Sequence, residues 1–147
     1  MKALLQRVSS ANVAVEQNVV GEIDNGLLVF IGISSRDSQD DIDYIVDKTI
    51  NLRIFPDEEG RFDRSLADIN GSLLLVSQFT LYGDTKKGRR PSFTEAMPSD
   101  SARTLFDDTV NSFSKTGLRV EKGIFQAEME VSLVNSGPVT IILDSEL

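Results

Sequence analysis

The sequence predicts an α/β domain in which helices cover a mixed sheet. Three observations lead there. Residues 27–31 and 73–76 are apolar without a break, the pattern of strands buried on both faces. Two other stretches, around residues 42–50 and 102–113, repeat apolar side chains at helical spacing. The order is strands, helix, strand, helix, strands, without the regular alternation of a doubly wound sheet. With 147 residues and 40% hydrophobic content, the chain reads as a single domain over 1–147 that can bury a real core.

Each element has its own signal. Ala3 to Val8 is mixed apolar, and Val13 and Val15 then alternate with polar neighbours. Gln17-Asn18 is a turn, and residues 19–23 return as a strand. Asp24-Asn25-Gly26 turns the chain into the first all-apolar strand. Ser38 and Asp41 have capping-box spacing, with Asp in the place usually held by Glu. The helix that follows presents Ile42, Ile45, Val46, Thr49 and Ile50 on one face. Asp57-Glu58-Glu59-Gly60 is an acidic turn. After the second all-apolar strand comes an irregular stretch from Tyr82 to Ser99, and connections that long are uncommon unless they do something. A second helix from about Asp100 to Thr116 buries Ala102, Leu105, Phe106, Val110 and Phe113, with Gly117 as its stop. Residues 129–134 and 139–143 are the last strands.

Absences narrow the chemistry. There is no cysteine, histidine or tryptophan. A thiol nucleophile, a disulfide framework, a cysteine zinc site and a Ser-His-Asp triad are excluded together. The carboxylates show no ligand spacing, so no metal and no other cofactor is expected. No apolar run approaches the roughly 20 residues of a membrane span, and the opening seven residues are too charged for a signal peptide. The chain therefore reads as soluble and cytoplasmic, with no membrane partner. Its formal net charge of -8 argues, on its face, against nucleic acid.

Three segments carry chemistry. Ser77-Gln78-Phe79-Thr80 closes the second apolar strand with two hydroxyls and an amide, at the rim of a core where a substrate has access. Its plain alternative is a polar strand end satisfying local backbone. Lys86, Lys87, Arg89 and Arg90 flank Gly88 and hold four of the chain's 15 basic residues. Such a loop suits a phosphate backbone; alternatively it is a solvated charge run. Asn135-Ser136-Gly137-Pro138-Val139-Thr140 joins the last strands. Gly adopts backbone angles closed to other residues and Pro fixes φ, although a simple hairpin turn with a trans bond has the same composition.

Taken together, these segments resemble the D-aminoacyl-tRNA deacylase family. The resemblance covers essentially the whole chain, from Gln6-Arg7-Val8-Ser9-Ser10-Ala11 through Asn51-Leu52-Arg53-Ile54-Phe55 and the block from Val76 to Phe93, to the segment from Val131 to Thr140. Ser136 departs from the Asp found in many members. The family implies mixed β-sheets in a layered sandwich or barrel-like core, with two main helices covering one side. The implied substrate is a tRNA mischarged with a D-amino acid, and the implied reaction is hydrolysis of its ester. The implied assembly is a homodimer with the active site at the subunit interface, where a cis Gly137-Pro138 reaches into the partner's pocket. There its main chain rejects L side chains, whereas glycine slips through. Arg7 matches a residue that holds this loop. Phe125, Ala96 and Met129 match positions near the terminal adenosine or the pocket wall.

With no histidine to activate a hydroxyl, two routes stay open. Thr80 attacks and forms an acyl-enzyme, which demands a base the sequence does not supply. Alternatively water attacks, assisted by the ribose hydroxyl beside the ester, and composition favours this route. Ser77 and Gln78 then position the substrate, while Phe79 and Thr80 offer backbone N–H groups to the oxyanion. Lys86, Lys87, Arg89 and Arg90 take the tRNA. A non-enzymatic RNA-binding module and a general esterase with Thr80 as nucleophile are the competing readings.

Overall fold

The structure, a computed structural model, describes residues 1–146. In chain order it runs β1 (Lys2–Val15), β2 (Asn18–Ile23), β3 (Gly26–Gly32), α1 (Gln39–Asn51), β4 (Phe55–Pro56), β5 (Phe62–Arg64), α2 (Leu66–Ile69), β6 (Ser72–Ser77), α3 (Ser99–Ser114), β7 (Val120–Lys122) and β8 (Glu130–Asp144). The main sheet has the order β2-β1-β3-β6-β7, with β8 on the other side of β1. The β3–β6 and β6–β7 pairs are parallel and the pairs made by β1 are antiparallel. The Arg119 guanidinium donates to the Glu22 carbonyl at 3.0 Å and ties the approach to β7 back to β2. The sheet thus curls into a nearly closed barrel.

The all-apolar strands have two faces to cover. Leu27, Val29 and Ile31 of β3, with Leu73 and Leu75 of β6, pack against Ile42 and Ile45 of α1 and Phe106 and Phe113 of α3. Leu28, Leu74 and Val76 point the other way, into the barrel, beside Val8, Ala11, Val13 and Ile23. Each fully buried Leu or Ile contributes about 1.5–3 kcal/mol. The two layers together explain why no polar residue interrupts either run.

Strand β1 serves both layers. Ala3 and Leu5 face the helix layer, whereas Val8, Ala11 and Val13 face the barrel interior. Two breaks in its register with β8 fall between Gln6 and Ser10, and they accompany the change of side. The starts of α1 and α2 carry capping boxes, whereas α3 begins after Pro98 without a side-chain cap. The Ser38 N–H donates to the Asp41 carboxylate at 2.8 Å, and Ser65 and Asp68 exchange bonds at 2.8 and 3.1 Å.

Sequence patterning misses some elements. Residues 130–144 form one strand rather than two joined by a turn, because the flanks of residues 136–139 both stay paired to β1. The β4–β5 hairpin, α2 and β7 are too short to carry a period.

Gly26 sits where β3 and β6 begin side by side, and a Cβ there would lie 1.9 Å from the Ser72 carbonyl oxygen. Backbone cannot yield as a side chain can. Gly26→Ala should therefore cost about 3 kcal/mol or more, at the upper end of overpacking effects, read as a lower urea midpoint at unchanged slope. An unchanged midpoint would show that the strands separate freely there.

Candidate active site

A cleft of about 610 Å³ opens where β3 and β6 end. Ile31 of β3 and Ser77 of β6 are partners in the parallel ladder, and both line it. The Gln78 N–H donates to the Ile31 carbonyl at 2.8 Å, and the chain then tightens into a 3-10 turn over Phe79–Tyr82. Phe79 and Thr80 open that turn, where helical N–H groups have no partner within the helix. The Gln78 side-chain amide donates to the Thr80 hydroxyl. Phe79 stays 58% exposed and meets Phe93 edge to face, with centroids 5.0 Å apart.

The other walls come from later in the chain. The irregular stretch is laid along the end of β3 by a Ser34–Ala96 bridge and a Met97 N–H to Ile33 carbonyl bond of 2.9 Å. This placement brings Phe93, Ala96 and Met97 to the cleft. Helix α3 contributes Ser99 and Ala102, and the loop before β8 contributes Phe125, Gln126 and Met129.

Among the described residues, no acidic, basic or phenolic side chain lines this cleft. Tyr82, in the adjacent turn, is buried. Burial first, and then the negative charges of Asp37 and Glu146, push its hydroxyl well above the ordinary tyrosine range, so it stays protonated at neutral pH. The site can orient an acyl group and offer backbone donors, but among the described residues it supplies no general base.

The segment of residues 136–139 is built elsewhere. Gln6 pairs with Thr140 and Val8 with Asn135, so Arg7 alone stands opposite these four residues and they loop out. The Arg7 guanidinium donates to the Ser136 carbonyl at 2.8 Å and the Ile54 carbonyl at 2.7 Å, and its cation lies 5.6 Å from the Phe62 ring centroid. The Asn135 amide donates to the Val139 carbonyl and the Thr140 hydroxyl and accepts from the Val139 N–H at 2.7 Å. The Gly137–Pro138 bond is cis, and Gly137 has φ +142, a region other residues rarely adopt. Gly137 and Pro138 are exposed and neither lines the cleft. Arg7 pairs with Leu27, about 13 Å along β3 from the cleft residue Ile31.

The basic loop is closed at its base by Asp84 and Ser92, which exchange backbone bonds of 2.7 and 2.9 Å. Phe93 follows directly, so the loop is anchored beside the cleft. Lys86, Lys87, Arg89 and Arg90 are all exposed. Among the described residues none of them forms an ion pair, unlike Arg36, Arg53, Arg61, Arg64 and Arg119.

The structure thus gathers Ser77, Gln78, Phe79, Ala96, Phe125 and Met129 around one cavity. Thr80, Arg7, Gly137, Pro138 and the four loop cations lie outside its lining. The sequence reading missed Phe93, Met97 and Gln126 as wall residues. Phe93 had a usable signal, since it lies within the long irregular stretch and directly follows the basic loop.

A family model described as D-Tyr-tRNA(Tyr) deacylase matches residues 4–144. The chain belongs to that family. A D-aminoacyl-tRNA deacylase of Thermosipho africanus is 56% identical over 146 residues, covering 99% of this chain and 98% of the relative. One of Thermotoga petrophila is 53% identical over 145 residues, with 99% and 97% covered. The solved structure of a c-Myc DNA unwinding element binding protein superposes with a TM-score of 0.93 at 40% identity, covering 99% of both chains. A probable eukaryotic D-amino acid tRNA deacylase shares the fold, with a TM-score of 0.84 at 20% identity and 97% of both chains covered. Deacylase relatives thus match this chain over nearly its full length, cleft and looped-out segment included.

Asn135 holds the segment through two bonds to the Val139 backbone and a third to the Thr140 hydroxyl. Asn135→Ala should raise deuterium uptake across residues 136–140 about tenfold or more, while β3 and β6 keep their protection. Equal uptake in both proteins would mean that Arg7 alone fixes the loop.

Proposed function

We propose that this chain hydrolyses the ester between a D-amino acid and the terminal adenosine of tRNA, releasing both, and that residues 1–147 act as one deacylase domain within a homodimer. The observation that carries this reading is the family match over residues 4–144, with relatives above 50% identity that are D-aminoacyl-tRNA deacylases. No helix among the described residues is long and apolar enough to cross a membrane.

The uncharged cleft supports water attack over an acyl-enzyme. Ser77 and Gln78 position the acyl group, and the Phe79 and Thr80 N–H groups receive the oxyanion as water bonds to the carbonyl carbon. The carbon–oxygen bond to the ribose then breaks, and the neighbouring ribose hydroxyl relays a proton to the departing oxygen. The Thr80 hydroxyl already accepts a bond from Gln78, which suits a supporting role rather than attack.

Stereochemical selection is assigned to Gly137 and Pro138. Within one chain they stand away from the cleft, so the filter is supplied by a second protomer, whose loop enters the pocket main chain first. An L side chain meets that backbone, a D side chain points away, and glycine passes, which makes glycyl-tRNA a substrate too. Lys86, Lys87, Arg89 and Arg90 hold phosphates of the acceptor end.

The deciding assay compares D- with L-aminoacyl-tRNA. D substrates should turn over at least ~100-fold faster than L, as expected where one enantiomer meets fixed backbone. Equal rates would point to a general esterase, and no hydrolysis to an RNA-binding module. Thr80→Ala should retain most of the rate, and its near-complete loss would refute the water route. Gly137→Ala, whose Cβ would sit 2.8 Å from a Val139 methyl and 3.0 Å from the Arg7 guanidinium, should erode the D/L ratio more than stability. Full activity in a dilute monomer would rule out the shared site.

A further inference from the structure

Arg103 lies outside the cleft, yet two cleft residues depend on it. Its guanidinium sits 4.9 Å from the Phe125 ring centroid and donates to the Gln126 side-chain carbonyl at 2.9 Å. Phe106, three residues on along α3, meets the same Phe125 ring from the core at 5.9 Å. Positions three apart share a helix face, so one face of α3 grips Phe125 from below with an aromatic ring and from outside with a cation. Gln126 has φ +65, a left-handed conformation that is strained for a residue with a Cβ. The loop must therefore be held to keep this shape, and the bond from Arg103 holds it.

We infer that Arg103 is a positioning residue that fixes the Phe125–Gln126 wall and thereby sets the fit of the cleft for the aminoacyl-adenosine end. The inference rests on the proposed deacylase reading. Because Arg103 touches the wall rather than the reacting ester, it acts on substrate binding and leaves the chemical step alone.

The test is steady-state kinetics of Arg103→Ala, Arg103→Lys and Gln126→Ala on a D-aminoacyl-tRNA, alongside binding of a non-hydrolysable amide analogue of aminoacyl-adenosine. Arg103→Ala should raise KM and weaken analogue binding about five- to tenfold, the effect of one hydrogen bond and one cation–π contact, with kcat within about twofold. Arg103→Lys should recover part of that loss, since an ammonium still reaches Gln126. Combining Arg103→Ala with Gln126→Ala should give less than the product of the two single effects, because they share one bond. Thermal midpoints of all variants should stay close to wild type, because Arg103 is exposed. An unchanged KM and analogue affinity in Arg103→Ala, with wild type active, overturns the inference alone. A loss confined to kcat also overturns it. A wild type that hydrolyses no D-aminoacyl-tRNA overturns the deacylase reading and the inference with it. Should Arg103→Ala fail to fold, Arg103→Lys and Gln126→Ala decide by the same readouts.

Discussion

Pairing of β1 with β8 runs from one end of the molecule to the other, and its register is broken where Arg7 faces four residues instead of one. Strand β1 changes sides at this break. Upstream of it β1 packs against the helix layer, and downstream it packs into the barrel. The residues that do not fit the ladder are forced outward, and they include Gly137 and Pro138. The irregularity that lets one strand serve two cores is thus the same one that presents a main-chain loop at the surface. Arg7 and Asn135 then satisfy the carbonyls and the N–H that the ladder gave up, so the protrusion has a fixed shape.

The cleft has a different origin. The parallel strands β3 and β6 are covered on both faces, and where their ladder stops at Ile31 and Ser77 the chain must leave the core. It does so through Gln78 and a 3-10 turn, which leaves backbone N–H groups at the mouth. Among the described residues, no titratable side chain lines the cleft. A reaction run at such a site draws on orientation and fixed dipoles, and an activated ester suits it because the leaving group needs little help.

Much of this was legible in the chain. The doubly covered strands were readable because burial on two sides abolishes alternation, and the helices because Ile42, Ile45, Phe106 and Phe113 keep a helical period. Ser77, Gln78 and Phe79 were legible as a polar close to an apolar run. What escaped has physical reasons. Strand β8 read as two because a looped-out segment looks like a turn when its partner strand is unknown. Gln126 and Arg103 carry no pattern, since their meeting depends on how α3 lies against a loop more than twenty residues away. The charge of -8 hides a compact cationic loop inside an acidic chain, and a sum over residues cannot reveal a local field.

The looped-out segment and the cleft sit apart on the same chain, and this has a genetic consequence under the proposed assembly. Each working centre draws its cavity from one protomer and its filter from the other. A protomer with a ruined cleft still carries a sound loop, and a protomer with a ruined loop still carries a sound cleft. Co-expressed, two such defective alleles form mixed dimers in which one centre of the pair is intact, so that damage in different segments complements while damage in the same segment does not.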